Sequence, residues 1–250
     1  YKLAVVGNPI EHSLSPLVFE LFVKQFMLEL GYTKILALDN KDFSIKVNHF
    51  FDQGGLALNI TSPFKRVAYE LTPFRTSRAN FCGTANFIRK PGNELLCDTV
   101  DGIGLLQDIL VNKQFRISGK KILIIGSGFV LDSILLDLIA QDPARVSTLA
   151  RNSDRISYLK EKFVIESYNP DISYDVVFNS TPNLLDNLLF AAVKNVSDGA
   201  LCYDLTYNKD SLFLQQMREL NPTVNAYNGL GMLVEQAKVA FTILFGYEPD

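Results

Sequence analysis

Three kinds of residue in this chain could do chemistry: a glycine turn able to hold phosphate, arginines placed to read it, and polar clusters that close apolar runs. Ile122-Leu123-Ile124-Ile125-Gly126-Ser127-Gly128-Phe129-Val130-Leu131 reads as a strand, a glycine turn and a helix. In that context Gly126, Ser127 and Gly128 permit a tight turn. The helix start at Phe129 and Val130 offers N–H groups to a pyrophosphate. Leu131 stands where a dinucleotide fingerprint has its third small residue, and Asp132 adds a negative charge that would compete with phosphate for the helix dipole. A plain strand-to-helix turn fits the same residues. The next expected strand ends at Thr148-Leu149-Ala150-Arg151-Asn152, where an NAD site has an acid for the ribose hydroxyl. Arg151, with Arg155 one helical turn further, suits a 2′-phosphate and favours NADP over NAD. The plainer alternative is a solvated arginine at a strand end.

Four polar clusters interrupt the N-terminal part: Gly7-Asn8-Pro9-Ile10-Glu11-His12-Ser13-Leu14-Ser15-Pro16, Asn59-Ile60-Thr61-Ser62-Pro63-Phe64-Lys65, Gly83-Thr84-Ala85-Asn86 and Asp98-Thr99-Val100-Asp101-Gly102. Each alone is also what turn and cap chemistry produces; Ser15 before Pro16 reads as a helix N-cap, and His12 alone as a surface or structural histidine. Together, at the carboxyl ends of strands, they would converge on one crevice.

The elements that must position them alternate. Strands are expected at Leu3–Val6, Ile35–Leu38, Leu56–Ile60, Lys121–Ile125, Val146–Leu149, Val176–Phe178 and Ala200–Asp204. Helices are expected at Pro16–Leu30, Phe43–Asp52, Gly102–Asn112, Val130–Ala140, Arg155–Lys162 and Met232–Phe245. This is an α/β pattern with parallel sheets. A seam near Asp101 divides it into two domains with a cleft between them, where small-molecule sites often lie. A net charge of −3 offers nothing to nucleic-acid phosphates. No apolar run reaches the roughly 18 residues of a membrane span, and the opening Lys2–Val6 segment is too short for a signal-peptide core. Cys82, Cys97 and Cys202 stand singly, so neither a disulfide framework nor a metal site is indicated, and they read as small buried residues. A soluble protein of a reducing, cytoplasmic compartment is expected.

Ser13-Leu14-Ser15-Pro16, the Asn59–Lys65 string, Gly83…Asn86 and Asp101-Gly102…Gly104 resemble the shikimate dehydrogenase family. So do Asp204-Leu205-Thr206-Tyr207-Asn208 and Gly229-Leu230-Gly231-Met232-Leu233-Val234-Glu235-Gln236-Ala237, and the resemblance covers nearly the whole chain in order. It implies NADP-dependent reduction of 3-dehydroshikimate to shikimate, in aromatic amino acid biosynthesis. It implies a substrate domain over 1–101 plus 230–250, its C-terminal helix packing back, and a Rossmann-like NADP domain over 102–229, with the active site in the cleft. By the same resemblance Ser13 and Ser15 hold the substrate carboxylate, with Tyr207 nearby, while Asn59, Thr61, Asn86 and Gln236 bind ring hydroxyls. The cofactor falls to Gly126, Ser127, Gly128, Phe129, Val130, Arg151 and Thr181, with Gly229 and Met232 by the nicotinamide. Lys65 and Asp101 suit ketone reduction on chemical grounds too: a lysine can protonate the developing alkoxide and an adjacent carboxylate can orient it. The pattern departs at Thr99, Val100, Phe87, Phe129, Val130, Ala150 and Asn152, more in the cofactor half than in the substrate half. Two alternatives therefore stand beside it: a quinate- or NAD-preferring relative, and a cyclitol-acid binder without turnover. Monomer and homodimer both occur in the family.

Overall fold

The computed structural model describes residues 1–181, 187–207 and 211–250. The described residues form two compact units, Tyr1–Gly104 with Leu233–Asp250, and Leu105–Met232. Asn208, which belongs to one of the motifs, lies outside the described residues.

The first unit runs β1 (Lys2–Gly7), α1 (Ser15–Gln25), β2 (Gly31–Leu36), α2 (Asn40–Asp52), β3 (Ala57–Ile60), α3 (Lys65–Leu71), β4 (Phe74–Arg75), α4 (Ser77–Cys82), β5 (Phe87–Arg89) and β6 (Leu96–Asp98). α5 (Asp101–Gln107) leads out of it. Its sheet has the order β2-β1-β3-β5-β6-β4. The expected parallel pairing holds except at β5, which runs antiparallel to both neighbours. β1, buried from Leu3 on, and β3, buried throughout, are the apolar-rich strands expected at the centre of a sheet covered on both faces, with Asn59 the polar exception on β3.

Two expected boundaries shift. The first helix stops at Gln25, not Leu30, because the chain turns through Met27 at φ 52°. Phe26, Leu28 and Leu30 still pack on the core, so the apolar signal outlasts the helix. The second strand is Gly31–Leu36, not Ile35–Leu38; as a mostly exposed edge strand it carries no apolar run to announce it.

The second unit runs β7 (Lys121–Ile125), α6 (Val130–Ile139), β8 (Arg145–Leu149), α7 (Ser153–Lys162), β9 (Glu166–Ser167), β10 (Tyr174–Asn179), α8 (Asn187–Ala192), β11 (Val196–Asp204), α9 (Leu212–Leu220) and β12 (Asn225–Asn228). Its sheet is wholly parallel, order β12-β11-β10-β7-β8-β9, the doubly wound arrangement expected of a dinucleotide fold. The helix expected over Gly102–Asn112 changes to a π turn at Asp108–Asn112, where Lys113 N–H reaches the Asp108 carbonyl at 2.9 Å. Cys82, Cys97 and Cys202 are buried. Burial pushes the Cys97 and Cys202 thiols up to about 11 and about 12, as inert packing residues require. Among the described residues no helix is long and apolar enough to cross a membrane.

α10 (Leu230–Phe245) returns to the first unit, where Phe241 joins the aromatics of α1 and the turn after it: its ring lies 5.6 Å from those of Phe22 and Phe26 and 6.1 Å from that of Phe19. Phe241→Ala should cost about 3–5 kcal/mol, because the cavity opens inside a rigid ring cluster. A urea midpoint within error of the unsubstituted protein would contradict this.

Candidate functional site

In the first unit the polar clusters meet because the turns between elements are held tightly. A Cβ at Gly7 would lie 2.2 Å from Thr61 Cγ2, so a side chain there would hold the turn after β3 away from the end of β1. The closed turn is tied by Thr61 N–H to the Val6 carbonyl at 2.9 Å and Asn8 N–H to the Ser62 carbonyl at 3.1 Å. That turn starts α3 at Lys65, whose Nζ donates to Asp101 Oδ2 at 2.6 Å with the two side chains 15% and 9% exposed. Asn86 Nδ2 donates to the other oxygen, Asp101 Oδ1, at 2.8 Å, and Asn86 Oδ1 accepts from Val100 N–H at 2.8 Å. Val100 thus serves through its backbone while its side chain is wholly buried, which is why a departure there leaves Asp101 anchored.

Gln236 reaches the same neighbourhood through α10. A Cβ at Gly104, one turn along α5 from Asp101, would lie 2.5 Å from Gln236 N, so the two helices touch at that glycine. Ser15 is the first residue of α1 and not its cap; the Ser13 hydroxyl accepts from Ser15 N–H at 3.4 Å, and Ser13 Oγ donates to Ser15 Oγ at 3.3 Å. Asn59, 5% exposed on β3, accepts at Oδ1 from Tyr32 at 2.8 Å, while its Nδ2 has no hydrogen-bond partner. Ser13, Ser15, Asn59, Thr61, Lys65, Asn86, Asp101 and Gln236 all belong to this unit. Tyr32 had no motif to single it out, since one tyrosine in an unannounced edge strand carries no pattern.

The second unit assembles a different site. Gly126 sits at φ 109° directly after β7, and a Cβ there would meet Ser180 Oγ at 2.4 Å and Thr181 Cγ2 at 2.8 Å. The glycine turn and Thr181 are therefore neighbours. Thr181 itself is fixed by Asn179, whose Oδ1 accepts from its N–H and its hydroxyl at 3.0 and 2.7 Å. Nothing lies within 4 Å of a Cβ built on Gly128, which leaves room in front of the start of α6. Phe129 precedes that helix without a side-chain cap, and Val130 is its first residue. Arg151 is exposed just past β8.

Asp132 does not compete for phosphate as expected. It is 1% exposed and ion-paired to Arg155 and, at 3.2 Å, to Lys162, so its charge is cancelled within the fold. Arg155 also donates to the Ser127 carbonyl at 3.2 Å and lies over the rings of Phe129 and Tyr158 at 5.1 and 4.7 Å. It is a brace for the glycine turn, which distinguishes it from exposed Arg151.

Gly229 is pressed against the end of β11, a Cβ there lying 2.3 Å from the Leu205 carbonyl oxygen, and Tyr207 follows two residues after Leu205. Met232 N–H donates to Tyr203 Oη at 3.0 Å, and Tyr203 donates to buried Asp108 at 2.7 Å. Asp204 is a structural centre: its carboxylate accepts from Asn179, Thr206 and Ser211, while burial pushes its pKa up against those bonds.

Gly126→Ala should destabilise the protein by about 2 kcal/mol, since both the backbone angle and the Ser180 contact exclude a methyl group. An unchanged thermal midpoint would show that the turn relaxes freely.

A family model described as the shikimate dehydrogenase substrate binding domain matches residues 5–88. The NADP(+) shikimate dehydrogenase of Legionella pneumophila (strain Corby) is 38% identical over 97% of this chain and 92% of its own length. An Ael1 enzyme from Pseudomonas putida, known from a crystal structure, is 30% identical with a TM-score of 0.85, covering 100% of this chain and 94% of that one. The shikimate 5-dehydrogenase of Thermus thermophilus, solved in complex with shikimate, has the same fold at a TM-score of 0.87 and 21% identity, over 100% of this chain and 94% of that one. With such identity sustained over nearly its whole length, and the fold to match, this chain belongs to the shikimate dehydrogenase family.

Proposed function

We infer that this chain catalyses the reversible, NADP-dependent reduction of 3-dehydroshikimate to shikimate in aromatic biosynthesis. The observation that carries this reading is the desolvated Lys65–Asp101 pair, 2.6 Å apart, in a cluster of buried polar side chains. The residues suit the cofactor: the Gly126–Gly128 turn, with open space before α6, suits a pyrophosphate, and exposed Arg151 suits a 2′-phosphate. NADPH, when bound, supplies the hydride to the ketone carbon. Lys65 Nζ protonates the oxygen that becomes negative as the carbonyl is reduced, and takes that proton back in the oxidation of shikimate. Asp101 holds the ammonium group in place, and Asn86 holds Asp101.

In this reading Ser13 and Ser15 donate to the substrate carboxylate with Tyr207 beside it, and Asn59, Thr61, Asn86 and Gln236 bind the ring hydroxyls. Thr181, Gly229 and Met232 line the cofactor site with Gly126, Ser127, Gly128, Phe129 and Val130. Residues 1–101 with 230–250 then serve as the substrate domain and 102–229 as the NADP domain. A cytoplasmic enzyme, monomer or homodimer, goes with this reading.

Absorbance of reduced nicotinamide, followed with shikimate or quinate and with NADP⁺ or NAD⁺, tests it: rapid turnover is expected only for shikimate with NADP⁺. Lys65→Ala should lower kcat by about 10²–10⁴-fold, the usual worth of general acid–base catalysis, with the fold retained by circular dichroism. A kcat near that of the unsubstituted enzyme would refute the role. Arg151→Ala should raise the KM for NADP⁺ by about 10–100-fold, as loss of a charged hydrogen bond does, and leave the KM for NAD⁺ alone. An equal change for both cofactors would sink the 2′-phosphate assignment.

A further inference from the structure

We propose that Tyr32 is a positioning residue that fixes which face of the Asn59 carboxamide the substrate meets, so that this subsite presents a hydrogen-bond donor and accepts only an oxygen acceptor opposite it. The proposal rests on the reading of the reaction just given.

The geometry supports it in three ways. Tyr32 Oη donates to Asn59 Oδ1 at 2.8 Å, which occupies the carbonyl end of the amide. The other end, Nδ2, is buried and makes no hydrogen bond. Buried polar groups are nearly always satisfied, and an orphan is costly unless a ligand completes it. The partner Nδ2 lacks must be an acceptor, because an amide nitrogen only donates.

The tyrosine is also fixed from behind. Its ring packs against Phe19 at 5.0 Å, and its strand pairs Tyr32 opposite Leu3 of β1. A phenol has one proton, and Tyr32 gives its own to Asn59. Ser13 donates to Ser15 at 3.3 Å. When a carboxylate draws the two serine protons to itself, the Tyr32 proton stays on Asn59 and the amide keeps its direction. Burial pushes the phenol pKa up, so Tyr32 remains a donor through the working pH range.

The test is a double-mutant cycle of Tyr32→Phe and Asn59→Ala, read as shikimate affinity by calorimetry and as steady-state kinetics. Tyr32→Phe keeps the ring on Phe19 and should raise the Kd and KM for shikimate about tenfold, with kcat and the KM for NADP⁺ little changed. In the Asn59→Ala background the same substitution should do nothing further. An equal loss in both backgrounds, an unchanged KM, or a parallel rise in the KM for NADP⁺ would overturn the proposal. Asn59→Asp provides a second variant should Tyr32→Phe fold poorly. It keeps the acceptor for Tyr32 but turns the open donor into an acceptor, so it should bind shikimate more weakly than Asn59→Ala, whereas affinity equal to the unsubstituted protein would refute a directed donor. A protein that binds shikimate with a coupled cycle but does not turn it over supports Tyr32 and overturns the reaction. One that does not bind shikimate overturns both.

Discussion

Two opposite charges held out of water set the terms for the first unit. Lys65 and Asp101 are mostly buried, and desolvating such a pair costs several kcal/mol per ion unless the remaining hydrogen-bonding capacity is used. The fold uses it. Asn86 takes the second carboxylate oxygen, and Asp101 begins α5, where the helix dipole favours a negative charge. Each requirement falls on a different element: the turn after β3 delivers Lys65, the approach to β5 delivers Asn86, and the step from β6 into α5 delivers Asp101. Gly7 and Gly104 matter for the same reason, since each removes the one atom that would hold these elements apart.

The second unit solves a related problem with the opposite purpose. Asp132 is also buried and also neutralised, but by Arg155 and Lys162 from α7, and the product is a braced turn. Arg155 is committed to the Ser127 carbonyl and to Asp132, whereas Arg151 is exposed just past the end of β8. An acid that looks hostile to phosphate when considered singly thus becomes part of the support for the glycine turn once its partners are counted.

What was legible in the sequence follows from how each signal is encoded. β7 announced itself because its Ile122–Ile125 stretch is continuously apolar, as in a central parallel strand, and β8, which carries Ser147 and Thr148, through its place in the alternation of strand and helix. The short strands β4, β5, β6 and β9 and the edge strand β2 did not, having two or three residues or an exposed pattern. The motif residues of the first unit could be named because turns and caps are local. Partnerships across the chain could not. The pairing of Asp132 with Arg155 and Lys162 depends on α6 and α7 packing together, and the glycine contact at Gly104 depends on a helix far away in sequence. Ser15 reads as a cap in the sequence because the Ser-Pro pair that marks a helix start does not say whether the serine stands before the first turn or within it.

The return of α10 carries a consequence for synthesis on the ribosome. The aromatic cluster of the first unit needs Phe241, which is translated only after the whole of Leu105–Met232. Emerging residues fold as soon as they can bury a core. The second unit therefore has everything it needs while the nascent first unit still exposes Phe19 and Phe22 of α1 and Phe26 just after it. The part of the protein made first is completed last, and during that interval its bare aromatic face is the surface on which chaperones and misassembly compete.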